Sequence, residues 1–118
     1  MSSYMPPDLP ARLQHILDAG QMILQITAGK SFDDYATDSV LRLAVERLFE
    51  IVGEALREAG KLEPSLQARV TAFRQIVDFR NVLVHDYSSI YNEGVWQRIA
   101  HDLPLLLNEV RTLLSGAD

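Results

Sequence analysis

Residues 38–59 read DSVLRLAVERLFEIVGEALREA, and this stretch decides the fold class. Val40, Leu41, Ala44, Val45, Leu48, Phe49, Ile51, Val52, Ala55 and Leu56 recur three and four residues apart, the spacing of one helix face. At about 100° per residue they cover nearly half a helical cylinder. Arg42, Glu46, Glu50 and Arg57 fall on the other side. Asp38 suits the cap of the first turn, and Gly60 comes next as a stop. A face this wide predicts a central helix, with apolar surface left for a second subunit.

Upstream, Pro6, Pro7 and Pro10 predict an extended lead-in over residues 1–9, with Asp8 as the cap of the first helix. Leu13, Ile16, Leu17, Met22, Ile23 and Ile26 mark that helix to about residue 28, stopped by Gly29. Ser31 opens a short capped helical turn over 32–35, in which Asp33 and Asp34, like Asp38 beyond it, read as solvated caps. Downstream, residues 63–70 predict a short helix with Pro64 in its first turn, and 73–84 another helix. Residues 86–92 read as a loop and 93–114 as the last helical region, which Pro104 must kink or split. Residues 115–118 form a tail. The fold class is therefore all-α: an antiparallel bundle of about four main helices plus short ones, with residues 1–118 as one domain.

Composition narrows the function. With 47% hydrophobic residues in 118, one core is adequate but not generous, which favours completion as a homodimer. The absence of cysteine excludes disulfides and thiolate metal sites. No apolar run approaches the roughly 20 residues of a membrane span, and the first ten residues lack a signal-peptide layout. A cytoplasmic protein is expected. The net charge of −5 argues against broad coating of DNA, yet an enzyme gripping RNA at a local basic spot remains compatible with it.

One segment looks chemical: residues 80–87, RNVLVHDY. Arg80 falls inside the apolar stripe of Phe73, Ile76, Val77 and Val84, where a permanently charged guanidinium needs a carboxylate, a ligand or open solvent. Asn81 and His85 stand about 100° and 140° round the axis from it, on a neighbouring polar face. A cation suited to phosphate beside an imidazole that can take and give protons can cleave RNA without a metal or cofactor. A structural reading stands beside this one. Arg80 can pair with Glu50 or Glu54, and His85 can cap its own helix.

Arg80, His85 and Tyr87 form an Arg-x4-His-x-Tyr pattern, with polar Asn81 directly after the arginine. This resembles the HepT-like proteins of the HEPN superfamily. The likeness extends to Ile51-Val52-Gly53-Glu54-Ala55, to Gly29-Lys30-Ser31-Phe32, to Val95-Trp96 and to Asp102-Leu103-Pro104, and covers about residues 9–114. Thr71-Ala72-Phe73 departs from the Pro-Trp pair that many members carry before the motif helix. The resemblance implies a homodimeric ribonuclease toxin with a cleft built from two motifs. Arg80 would stabilise the scissile phosphate, His85 would act as base or acid, and Asn81 would orient the backbone or the imidazole. It further implies a nucleotidyltransferase antitoxin that neutralises the toxin by adding AMP to Tyr87. The alternative it leaves open is a non-catalytic HEPN partner of a nucleotidyltransferase; a bare helical scaffold also stays open.

Other residues carry less. Glu54 and Arg47, seven apart on the central helix, read as a structural network that can fix the direction of Arg80. Trp96 and Tyr91 read as core or interface aromatics, and His15 and His101 as surface residues. No metal-ligand spacing, phosphate loop or nucleophile elbow is present.

Overall fold

A computed structural model of the chain describes residues 5–116. The first helix, α1 (Leu9–Thr27), starts inside the expected lead-in, because Leu9 is buried in the core. Pro10 sits in its first turn, where a missing N–H costs no helical bond. Asp8 holds the cap position, but its side chain makes no capping hydrogen bond. Residues 1–4 of the lead-in lie outside the described residues. Gly29, at φ 73°, turns the chain after α1 in a conformation that favours glycine.

A capping box opens α2 (Phe32–Thr37): Ser31 N–H donates to Asp34 at 2.8 Å and Asp34 N–H donates to Ser31 Oγ at 3.1 Å. The Ser31 backbone bond holds the Asp34 carboxyl below its usual pKa. This helix outruns the expected turn by two residues, with Thr37 Oγ1 bonded back to the Asp33 carbonyl. Asp38 caps α3 (Ser39–Leu62) by accepting from Leu41 N–H at 3.0 Å. Gly60 does not stop α3. It lies within the helix and admits the Phe73 ring, whose Cζ would stand 2.4 Å from a Cβ there.

Pro64 falls in the turn before α4 (Leu66–Arg69), not inside the helix as expected. The motif helix α5 (Phe73–His85) ends on the histidine itself. The expected loop contains a 3-10 turn, Tyr87–Ser89, and Asn92 already opens α6 (Asn92–Ala100). The last helical region is split, but at His101. Pro104 lies in the first turn of α7 (Asp102–Leu114), where its ring is accommodated.

The central helix α3 lies between α1 and α5. Gly53 meets Arg80 and Gly60 meets Phe73, so α3 and α5 run antiparallel. On the far side of α1, the Leu103 and Leu107 side chains of α7 close over Gly20. Trp96 of α6 packs against Tyr35 and Phe32 at ring separations of 5.4 and 6.4 Å. Val45, Phe49, Val52 and Leu56 of α3 meet Leu13, Ile16 and Ile23 of α1 and Phe79 of α5 in one apolar cluster. Each such fully buried side chain contributes roughly 1.5–3 kcal/mol. Phe49 and Phe79 meet edge to face at 5.3 Å.

The architecture is thus an all-α antiparallel bundle, with no strand among the described residues. No helix among them is long and apolar enough to cross a membrane. The wide face of α3 divides. Its inward residues fill the core, whereas Val40 and Leu43, 77% and 59% exposed, and Ala44 stand on the surface. Glu46, expected on the solvated side, is instead buried.

Candidate active site

The site begins where α5 crosses α3. A Cβ at Gly53 would lie 2.3 Å from Arg80 Cβ and 2.8 Å from its Cγ, so only glycine lets the arginine stem lie across the central helix. The stem then carries the guanidinium to the next residue of α3. Arg80 Nη2 stands 3.0 Å from Glu54 Oε1, and Arg80 Nη1 donates to Asn81 Oδ1 at 3.1 Å. Arg80 Nε is buried with no hydrogen-bond partner among the described residues. Of the two candidate carboxylates, Glu54 takes the arginine, and Asn81 contacts Arg80 rather than the imidazole. Glu54 also faces Arg57 at 3.8 Å.

This arginine borders a cleft of about 230 Å³ between α1, α3 and α5, with Arg12, His15, Arg47, Glu50 and Glu54 around it. Arg47 pairs with Glu50 at 3.1 Å, so it belongs to the same cleft as Arg80 without touching it. Three guanidinium groups face two carboxylates here, in a chain of net charge −5. The cleft is therefore a local positive spot, and guanidinium forks suit phosphate oxygens.

His85 stands apart from it. Five residues along α5 place it about 7.5 Å further along the axis and about 140° round it from Arg80. It is exposed, and among the described residues its imidazole makes no hydrogen bond or ion pair, including none that caps α5. His85 is not among the residues that line the Arg80 cleft.

Tyr87 lies just beyond, in the 3-10 turn, 57% exposed. Its hydroxyl donates to Glu46 Oε1 at 2.8 Å. That bond to a carboxylate, then partial burial and the Glu46 charge, raise the phenol above its usual pKa of 10.0. Beside it, burial and then Glu46 raise the Tyr35 phenol, whose buried hydroxyl has no hydrogen-bond partner among the described residues.

Glu46, Arg12 and His15 are the residues of this neighbourhood that sequence reasoning passes over. Glu46 sits between Val45 and Phe49, at the margin of the apolar face, and that position is the only available signal. Arg12 and His15 carry none, because nothing in α1 reveals that α5 lies across α3 from it. The remaining aromatics diverge: Trp96 is half-buried against the core, whereas Tyr91 is 72% exposed and is no core residue. His15 and His101 are both exposed, as expected, although His15 lines the cleft. Among the described residues, no three His, Asp or Glu side chains stand close enough to hold a metal ion.

Comparison with known proteins meets this geometry from the other direction. The family model "Ribonuclease HepT-like" matches residues 16–113. A protein of Caldanaerobacter subterraneus subsp. tengcongensis whose name proposes it as an RNase is 30% identical, over 86% of this chain and 90% of its own. A Methanocaldococcus jannaschii protein, again named as a proposed RNase, is 28% identical over 87% and 94% of the two chains. A Thermococcus cleftensis protein whose name proposes it as ribonuclease HepT is 27% identical over 86% and 91%. No solved structure matches. The arginine of the motif, the glycine that admits it and the glutamate that holds it all lie within the matched span, and the chain belongs to the ribonuclease HepT-like family.

Proposed function

We propose that this protein is a metal-independent endoribonuclease whose catalytic cleft forms between two copies of the chain. The observation that carries the reading is Arg80, held by Glu54 at 3.0 Å on the rim of a basic cleft in an acidic protein. Arg80 would neutralise the charge that grows on the phosphate oxygens as the ribose 2′-hydroxyl attacks. His85, whose imidazole has no hydrogen-bond or ion-pair partner among the described residues, would take the 2′-proton and return a proton to the departing 5′-oxygen. The products are a 2′,3′-cyclic phosphate and a 5′-hydroxyl. Asn81 would steady the Arg80 guanidinium through the hydrogen bond it already accepts. Arg47 would add positive charge to the cleft.

A second copy supports this chemistry in two ways. It would bring a second Arg80 and a second His85 to one shared cleft. It would also cover Val40, Leu43, Ala44 and Val84, apolar residues left in water beside the cleft. The biological setting we propose is a cytoplasmic toxin restrained by a nucleotidyltransferase antitoxin that attaches AMP to Tyr87. The exposed Tyr87 ring, two residues beyond His85, supports this: an anionic adduct there would repel RNA from the cleft.

The test is cleavage of a labelled RNA in excess EDTA by the wild type, Arg80→Ala and His85→Ala. Cleavage by the wild type alone, leaving cyclic phosphate ends, is expected. Absence of cleavage by protein whose mass shows an unmodified Tyr87 would replace this reading with that of a non-catalytic partner of a nucleotidyltransferase.

A further inference from the structure

Glu46 is a buried carboxylate that the proposed chemistry does not use. It is 6% exposed, and its hydrogen-bond partner is the hydroxyl of Tyr87, 41 residues away, at 2.8 Å. Burying a carboxylate costs free energy unless it is hydrogen-bonded, so the bond is needed on the Glu46 side as much as on the Tyr87 side.

The location of this bond matters more than its strength. The chain from His85 to Tyr91 leaves α5 through the Asp86 N–H bond to the Val82 carbonyl. Its other bonds among the described residues are local: Ser88 and Ser89 hydroxyls to Asp86, Ser89 N–H to the Asp86 carbonyl, Ile90 N–H to the Tyr87 carbonyl and Val95 N–H to the Tyr91 carbonyl. Among the described residues, Tyr87 to Glu46 is the only side-chain hydrogen bond that ties segment 86–91 to another helix. His85, two residues before Tyr87, is the last residue of α5, and among the described residues its imidazole has no hydrogen-bond or ion-pair partner.

We propose that Glu46 is a positioning residue of the nuclease site: through Tyr87 it anchors the 87–89 turn to the central helix and thereby sets where His85 stands. This rests on the ribonuclease reading and adds a residue to it. It also changes how modification of Tyr87 would silence the enzyme. Attack of the Tyr87 oxygen on the α-phosphorus of a nucleoside triphosphate forms the P–O bond and releases pyrophosphate. The hydroxyl proton leaves, and Glu46 is the carboxylate placed to receive it. The modified oxygen then has no proton to donate, so the anchor is lost together with access to the cleft.

The experiment uses the full chain, expressed alone and shown by mass to be unmodified. Four variants are compared with wild type: Tyr87→Phe, Glu46→Met, Glu46→Gln and the double variant Tyr87→Phe/Glu46→Met. Methionine fills the buried site without a charge, and glutamine keeps an oxygen that can accept from Tyr87. Tyr87→Phe and Glu46→Met are each expected to lower kcat about tenfold to a hundredfold with KM for RNA nearly unchanged, as misplacement of a catalytic group does. Glu46→Gln is expected to retain most activity. The double variant is expected to lose no more than the worse single variant, because both remove the same bond. Amide exchange of residues 86–90, read by mass spectrometry, is expected to speed up in both single variants.

Independent, multiplicative losses in the double variant, or full activity in Tyr87→Phe and Glu46→Met, would overturn the anchor. Should wild type cut no RNA, the ribonuclease reading fails, and the exchange measurement still decides the tether: exchange unchanged in both single variants overturns it. Circular dichroism melts of every variant separate loss of the anchor from loss of the fold.

Discussion

Gly53 and Arg80 meet so closely that a methyl group at Gly53 would stand 2.3 Å from the Arg80 Cβ. The atom in the way is not the far end of a flexible side chain, so α5 itself would have to move. Gly53→Ala is therefore expected to destabilise the protein by about 1–3 kcal/mol, as overpacking does, despite the better helix propensity of alanine. Urea denaturation checks this. Because the clash is with Cβ, Arg80→Ala is not expected to relieve it, and a Gly53→Ala/Arg80→Ala protein as stable as Arg80→Ala alone would contradict the packing described.

Glu54 holds the arginine that Gly53 admits, at 3.0 Å and with 43% of its side chain exposed. A partly exposed pair contributes about 1 kcal/mol or less to stability. Its expected effect lies in catalysis: Glu54→Ala should lower RNA cleavage about tenfold by releasing the direction of Arg80, with a melting temperature close to wild type. Single-turnover kinetics check this. Full activity in Glu54→Ala would reduce Glu54 to a surface partner.

Tyr87 and Asp34 predict opposite responses to pH. The Tyr87 pKa is raised in the fold by its bond to Glu46, so that contribution to stability is fully present below about pH 10 and is lost as pH rises through the folded value. The Asp34 pKa is lowered by the Ser31 backbone, so the capping box contributes above the usual 3.8 and is lost as pH falls through the folded value. Ultraviolet titration of tyrosinate should show one phenol fewer ionising in Tyr87→Phe, and the phenol removed should be one that titrates above about pH 10. Thermal melts against pH in Asp34→Asn should show a weaker acid-side dependence than wild type.

Leu43 is 59% exposed on the outward face of α3, next to Val40 at 77%. Leu43→Glu is expected to leave helicity and monomer stability nearly unchanged, since no core contact is lost. Light scattering of wild type is expected to give a dimer, and of Leu43→Glu a monomer with cleavage reduced along with assembly. A dissociated variant that still cleaves at the wild-type rate would remove the need for a second copy.

How much of the fold is legible in the chain depends on the range of the forces involved. The helices of residues 9–114 can be read from their spacing because helix periodicity, capping by Ser31 and Asp38 and the stop at Gly29 act within a few residues. Their boundaries are less legible where a distant neighbour decides. Gly60 looks like a stop until Phe73 is seen lying against it, and Pro104 looks like the break until the chain is seen to turn at His101.

By itself, the sequence determined an all-α bundle and the presence of Arg80, Asn81, His85 and Tyr87 along one helix end and the turn after it. Only the tertiary structure decided which partners these residues take. It chose Glu54 over Glu50 for Arg80, brought Arg12 and His15 of α1 to the same cleft, and turned Glu46 inward to meet Tyr87. The reason is physical: a helix wheel states which residues share a face, whereas the pairing of a charge depends on which other helix lies across that face and at what height. Residues 41 positions apart meet through the packing of α3 against the end of α5, and no local pattern encodes that contact.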